Sequence, residues 1–397
     1  GGDTAERVRT VQTFFDTGRL DPECNVQFGA GGAGTFSDGK LVTRVNDPLC
    51  RFVLETFARF GAPETVLTEA KPHVGTDRLR TVVEGITQEI RRLGGEILFR
   101  TRAEDFCMAQ DRVVSVKTGQ GEIPCGSVIL ATGHSARDIY RLFQRRRFDV
   151  RPKPFSVGVR IEHLQSDIDR GLYGDMAGNP YLPKGEYALS CHPNGVGVYT
   201  FCMCPGGEVV AAASEEGGVV VNGMSRYGRD GTNACSAVCV SATDDDPMRF
   251  QRQLEERAYQ LAGGNYRAPV QTVGDFLAGK SGTQPRRVLP TYMEGHGASL
   301  RDLRQLFPQS ICAGLEAGIR NFGRKLPGFD APDAVLTGPE TRTSAPYRIV
   351  RGEDLTASAC TNLYPCGEGA GYAGGITSAA LDGIHCALAL MREYAPY

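Results

Sequence analysis

Nowhere in the sequence do about 18 apolar residues run uninterrupted, the length a membrane-crossing helix needs. Its opening stretch, GGDTAERVRT, has neither the apolar segment of a secretory signal nor the acid-poor character of a transit peptide. No C-x-x-C pair occurs among the 13 cysteines, an odd number scattered through apolar, strand-like runs. A zinc ribbon and a disulfide framework are therefore disfavoured, and a reducing compartment, the cytoplasm or an organelle stroma, is expected. Lysine is scarce, with seven residues against 37 arginines, a skew to which no function is attached. Neither sign of charge is in excess: 44 basic and 46 acidic residues give a net charge of −2. No global field would draw in nucleic acid or a membrane surface, so neither is expected as a partner.

Glycine is what the chain has in abundance. Fifty in 397 residues is nearly twice the usual share of about 7 %, and the glycines lie between periodic segments rather than in a low-complexity tract. Glycine so placed suggests backbone closing on a ligand. The length suggests two or three domains at roughly 150 residues each. Residues 4–17 read as an amphipathic helix with Val8, Val11, Phe14 and Phe15 on one side and Gly18 as its stop. Asp47 and Pro48 open a second helix that Gly61 ends, and Thr76 caps a third that runs to Gly94-Gly95. Strands are expected at EILFR (96–100), RVVSVKT (112–118) and SVILATG (127–133), the last apolar without alternation, as in a parallel strand covered on both faces.

Residues 151–335 differ in texture. Short strands are expected at 155–161, 187–191, 196–204, 207–213 and 235–243, with helices near 247–262 and 298–306 and another from Pro308. From about 336 the first texture returns, TNLYPCGEGAGYAGGI (361–376) reading strand, glycine loop and helix. The pattern implies an α/β domain, residues 1–150 and 336–397, interrupted by a mostly antiparallel β plus helical domain at 151–335.

Two glycine loops carry the strongest chemical signal. In the first, Gly29, Gly31, Gly32 and Gly34 are followed by Thr35, Ser37, Asp38, Gly39 and Lys40, a set whose amides, hydroxyls and ammonium suit an anion. The second, Gly367-Glu368-Gly369-Ala370-Gly371, leads through Gly374-Gly375 into a helix at Ile376 whose N-terminus favours negative charge. Cys202 and Cys204 lie two apart on a strand and are expected on one face, without a nearby cation in sequence and hence inert. The run Arg145-Arg146-Arg147 reads as a solvated helix end, and no metal site is expected.

The strings VQFGAGGAGTFSDGKL, VILATGHSARD, GPETRTSAPYRI and NLYPCGEGAGYAGGITSAALDGI resemble the FAD-dependent dehydrogenase family of two-domain flavoproteins, over nearly the whole chain. The resemblance implies a Rossmann-like FAD domain with an inserted substrate domain, and a hydride or electron pair passed through the flavin to or from an unassigned small molecule. It places Gly31, Gly32, Ala33, Gly34, Thr35, Ser37 and Lys40 along the pyrophosphate and flavin, and Thr132 and Gly133 near the adenosine. Glu368, within Gly367 to Gly369, would accept from a ribityl hydroxyl or else be a surface carboxylate. Gly374, Gly375 and Ile376 would set a helix N-terminus against the flavin pyrimidine edge, and Arg342 would offset flavin charge or form an interdomain salt bridge.

Two departures bear on these expectations. Ala30 stands where the family's F-G-E-G-G-A-G has an acidic residue. No strand, G-x-G-x-x-G and helix precede residues 4–17, so the chain is expected to be truncated and to bind FAD weakly or not at all. NAD(P)H is a candidate reductant. A cofactor-deficient interaction module and an RNA-modifying flavoprotein are the competing readings.

Overall fold

The computed structural model describes residues 1–394. The first helix, Thr4–Thr17, is set by its ends: the Asp3 carboxylate accepts from the Glu6 amide at 2.8 Å, and Gly18 takes the left-handed conformation that closes it. Its Val11, Phe14 and Phe15 enter the main core. Leu49–Arg59 starts behind Pro48, with Asp47 accepting from the Leu49 amide at 2.8 Å. The third helix, Gly75–Arg92, lacks the cap expected of Thr76. That hydroxyl lies inside the helix and donates instead to the Thr35 carbonyl at 2.6 Å, pinning the helix to the first glycine loop.

Ala103–Ala109, Arg112–Thr118 and Gly121–Pro124 form a three-stranded antiparallel sheet. The strand expected at 96–100 is irregular, because Arg100 adopts φ +54° and commits its guanidinium to Glu6 and Asp21. Val128–Leu130 pairs in parallel with Leu363–Pro365, joining the two flanks of the chain. Cover on both faces does not hold there: the two strands form a sheet by themselves and Ile129 is 38 % exposed.

The largest sheet has seven strands in the order Ala298–Leu300, Ala268–Thr272, Val335–Glu340, Phe155–Leu164, Asn233–Ala242, Val198–Cys204 and Ser190–Cys191. All neighbours are antiparallel except the first two. Helix Gln309–Lys325 approaches it closely, since a Cβ on Gly318 would stand 2.5 Å from Val198. The two-stranded ribbon of Glu208–Ala211 and Val221–Met224 packs against its central strands. The central strands Phe155–Leu164 and Asn233–Ala242 are consequently buried almost throughout. The helix expected near 298–306 is instead a strand at Ala298–Leu300 and one tight turn at Leu303–Gln305. Tertiary partners decide this: Ala298–Leu300 joins the sheet edge, and Gln271 accepts from the Leu303 amide at 2.9 Å. The expected strand at 187–191 shrinks to Ser190–Cys191.

Candidate functional site

The two glycine loops, the Thr132-Gly133 turn after Val128–Leu130 and residues of the inner strands Val198–Cys204 and Val335–Glu340 surround one cavity of about 810 Å³. A neighbouring cavity of about 550 Å³ shares Phe28, Gly29, Thr132 and Ser135 with it.

The first loop owes its shape to a residue outside it. Arg7, 1 % exposed, donates from all three guanidinium nitrogens to carbonyls: Nε to Asn25 at 2.9 Å, Nη1 to Ala30 at 2.6 Å and Nη2 to Val26 at 2.8 Å. Burial lowers its pKa to about 10, which leaves it a cation at neutral pH. Gly31 has φ +82°, and a Cβ there would lie 2.3 Å from the Thr35 hydroxyl, so only glycine fits. Gly31, Gly32, Ala33, Gly34, Ser37 and Lys40 all line the cavity. Thr35 is buried outside the lining, its hydroxyl 3.4 Å from the Ala30 carbonyl. The Lys40 ammonium is shared between Glu186 at 3.3 Å and Asp38 at 3.8 Å. Asp38 is itself clasped by Arg229 at 2.6 Å.

On the opposite wall, the Gly367 amide donates to Asp382 at 2.6 Å, and Asp382 holds Arg351. Gly367, Glu368, Gly374, Gly375 and Ile376 line the cavity, the last three at the start of helix Ile376–Tyr394. Gly369 lies behind the lining, where a Cβ would meet the Gly133 carbonyl at 2.6 Å, and its own carbonyl accepts from Tyr140. Glu368 Oε2 stands 3.9 Å from His134 Nδ1, while His134 Nε2 bonds the Arg342 carbonyl at 2.8 Å.

This geometry agrees with what comparison of the chain shows. Residues 154–343 match the model of a family described as "FAD-dependent protein, C-terminal domain-like". An uncharacterized protein of Clostridium beijerinckii is 46 % identical over 404 residues, covering 99 % of this chain and 75 % of that protein. The chain belongs to the FAD-dependent protein family. Among solved structures, that of CtdE in complex with FAD is similar over 82 % of this chain at 9 % identity and a TM-score of 0.32. Glycine oxidase from Bacillus cereus is similar over 81 % at 10 % identity and a TM-score of 0.32, and a salicylate hydroxylase substrate complex over 81 % at 10 % and 0.33. The chain spans 62 %, 56 % and 57 % of the lengths of these three chains.

The residues present in this FAD-dependent protein fit the cofactor. A Cβ added at Gly32, Gly133, Gly374 or Gly375 would meet no atom within 4 Å, so at these four positions the backbone stands open to the cavity from both sides. The first-turn amides of helix Ile376–Tyr394 have no partner within the helix and are suited to an anionic or electron-rich edge.

Beside the cavity, Arg342 belongs to a buried ion cluster. Glu255 accepts from Arg342 at 2.9 and 3.0 Å, from Arg137 at 2.8 Å twice and from Thr341 at 2.7 Å. Glu215 joins both arginines at the cluster's edge. Burial alone would raise the Glu255 carboxyl, but the two guanidinium groups outweigh it and hold the group at about 2. The cluster ties residues on both flanks to the middle of the chain, and Arg342 also forms part of the cavity wall.

The cysteine pair departs from the expected simple alternation. A bulge sits between the Cys204–Cys235 and Phe201–Ala237 pairings, Cys202 takes φ +45°, and Cys202 lines the cavity while Cys204 is fully buried. The fold also supplies a cation that is distant in sequence, with Arg160 Nη2 3.6 Å from Cys204 Sγ and 3.3 Å from Cys235 Sγ. Even so, contact with Cys204 and burial push the Cys202 thiol well up, the direction that makes it a poor nucleophile. Cys202→Ser and Cys204→Ser, singly or together, are expected to leave flavin reduction within about threefold of the parent while lowering stability. Stopped-flow reduction by dithionite and thermal melts test this; a collapse of reduction in the double variant would make the thiols an electron relay.

Several residues that shape the site were not singled out from sequence. Arg7 shares a helical stripe with the buried Val11 and Phe14, and a charge on an apolar stripe is a signal for a buried anchor. Arg160 interrupts the otherwise apolar stretch FSVGVRI in the same way. Phe201, Asn222 and Glu340 reach the cavity through sheet pairing that no local pattern encodes.

Proposed function

We propose that this protein binds FAD along the cavity and works as an oxidoreductase, passing an electron pair between a small molecule and the flavin. The observation that carries the reading is the convergence of both glycine loops and the N-terminus of helix Ile376–Tyr394 on one cavity with four backbone positions open to it. Its volume of about 810 Å³ is also in the range of cofactor sites. When bound, FAD supplies a ring that accepts or returns a hydride equivalent. The chain's own residues bind and orient it. Backbone amides of Gly31, Ala33 and Gly34 face the phosphates, while the Gly32 amide and the Ser37 hydroxyl hold the loop through the Gly29 and Gly34 carbonyls, and Lys40, its charge shared with two carboxylates, adds a mild attraction rather than a free cation.

Glu368 accepts from a ribityl hydroxyl, and the helix N-terminus at Gly374, Gly375 and Ile376 faces the pyrimidine edge, where reduction places negative charge. Thr132 and Gly133 border the adenosine. Residues 1–150 and 336–397 form the cofactor part on this reading, and 151–335 the part that receives the substrate. The support is that Phe201, Cys202 and Asn222 come from the middle of the chain while the glycine loops come from its flanks.

Titration of the purified protein with FAD, followed by flavin absorbance and fluorescence, tests the proposal. Saturable binding of one FAD per chain with a perturbed flavin band is expected. A free-flavin spectrum at every concentration, from protein that circular dichroism shows to be folded, would remove it.

A further inference from the structure

One carboxyl in the cavity wall has no part in holding the cofactor on the reading above. Glu340 ends strand Val335–Glu340 and is 3 % exposed, yet it lines the cavity. Its Oε2 accepts from Arg160 Nη1 at 3.2 Å, and its Oε1 makes no hydrogen bond among the described residues. Arg160 is fully buried, and its other contacts are the Cys202 carbonyl at 2.9 Å and the Cys204 and Cys235 sulfurs, with Nε unpartnered. Among the described residues Glu340 is therefore the one carboxylate bonded to Arg160. Cys239, two strands away across the sheet, and Tyr199, three strands away, are the further titratable groups close enough to interact with it. His134, Lys40 and Glu368 line the same cavity.

Opposing effects balance at this carboxyl. Burial favours its protonated form and Arg160 its ionised form, with burial the stronger, so its pKa is raised. Protonation would cost Arg160 the one carboxylate bonded to it, leaving only the more distant Glu162, and this restrains it while the cavity is electrically neutral. Negative charge arriving in the same low-dielectric space removes that restraint, because Arg160 can then be balanced from the cavity side. Phe201, Cys202 and Asn222 line the same cavity as Glu340, so an apolar ring and an amide share its wall.

We propose that Glu340 is the proton-exchanging group of the cavity, taking the proton that a donor releases as its electron pair leaves. This rests on the FAD reading. The donor class is a small molecule whose oxidised carbon carries an O–H or N–H. Its C–H hydrogen leaves with the electron pair to FAD, the O–H or N–H proton passes to Glu340 Oε1, and a C=O or C=N bond forms. The proton returns to solvent through the cavity mouth once the flavin is reoxidised. Asn222 supplies the polar contact that orients the donor's heteroatom.

Chemical reduction of the FAD-loaded protein reaches the same protonation state and needs no donor to be known. Photoreduction of the wild-type holoprotein is expected to generate the infrared band of a protonated carboxyl, sensitive to deuterium exchange. Proton uptake, followed with a pH indicator between about pH 6 and 8, should exceed that of Glu340→Gln by about one proton per flavin. Loss of the band in Glu340→Gln completes the expected result. Absence of the band in the wild-type holoprotein overturns the proposal without recourse to any variant, so a Glu340→Gln chain that fails to fold does not shelter it. A band that persists in Glu340→Gln assigns the proton to another carboxyl, with Glu368 the first to examine, and overturns it equally. Failure of the protein to hold FAD overturns the parent reading instead, and the titration above distinguishes that case.

Discussion

Replacing Glu255 by alanine is expected to destabilise the protein by about 3–5 kcal/mol, enough to consume much of the stability of an ordinary fold. Glu255 is 1 % exposed and compensates two guanidinium groups at once. Its removal leaves Arg137 and Arg342 buried against each other with only Glu215, at the half-open edge of the cluster, to share. The pH dependence has a definite sign. The folded-state value of about 2 lies below the ordinary carboxylate value of 4.5, so the contribution is fully present above about pH 4.5 and fades as pH falls toward 2. Urea unfolding of parent and variant at pH 7 and pH 3 measures both effects. The gap between them should be wide at pH 7 and narrower at pH 3; a variant as stable as the parent at pH 7 would show that the cluster contributes no net stability.

The second large effect concerns the cofactor. Glu368→Ala should weaken FAD binding by about 1.5–3 kcal/mol, roughly ten- to a hundred-fold, through loss of one charge-assisted hydrogen bond. The fold should survive, because the Glu368 side chain is 28 % exposed and the His134 ring stands 3.9 Å away. The Glu368 side chain is thus not committed to an internal partner and stays available to a hydroxyl in the cavity. Fluorescence titration of both proteins with FAD, alongside their melting curves, gives the comparison. Equal affinities would return Glu368 to the role of a surface carboxylate.

What could be read from the sequence was what neighbours along the chain decide. The cap at Asp3 and the stop at Gly18 mark the first helix to the residue, and the glycine loops announce themselves by composition. Fourteen of the sixteen residues expected at the cofactor line the cavity; Thr35 and Gly369 stand just behind them, packed against the loop they support. Partners far along the chain decided the rest. Residues 298–306 carry a helical pattern but follow the edge of a sheet, and 96–100 has the composition of a strand but yields to the ion pairs of Arg100. The cation beside Cys204 lies 44 positions before it in sequence and two strands away across the sheet, with Asn233–Ala242 between them. Glu340 meets Arg160 for the same reason, through pairing of the strands that carry them.

The parallel pairing of Val128–Leu130 with Leu363–Pro365 has a consequence for the protein as it is made. A strand completed early must wait for a partner that leaves the ribosome roughly 230 residues later, which at 5–20 residues per second is about 10–50 seconds. Throughout that interval the nascent chain carries Val128, Ile129 and Leu130 with open backbone edges, and the turn at Thr132-Gly133 has no opposite wall. Synthesis of the middle of the chain thus proceeds beside an unfinished sticky edge, the kind of segment that chaperones shield and that aggregates when translation stalls.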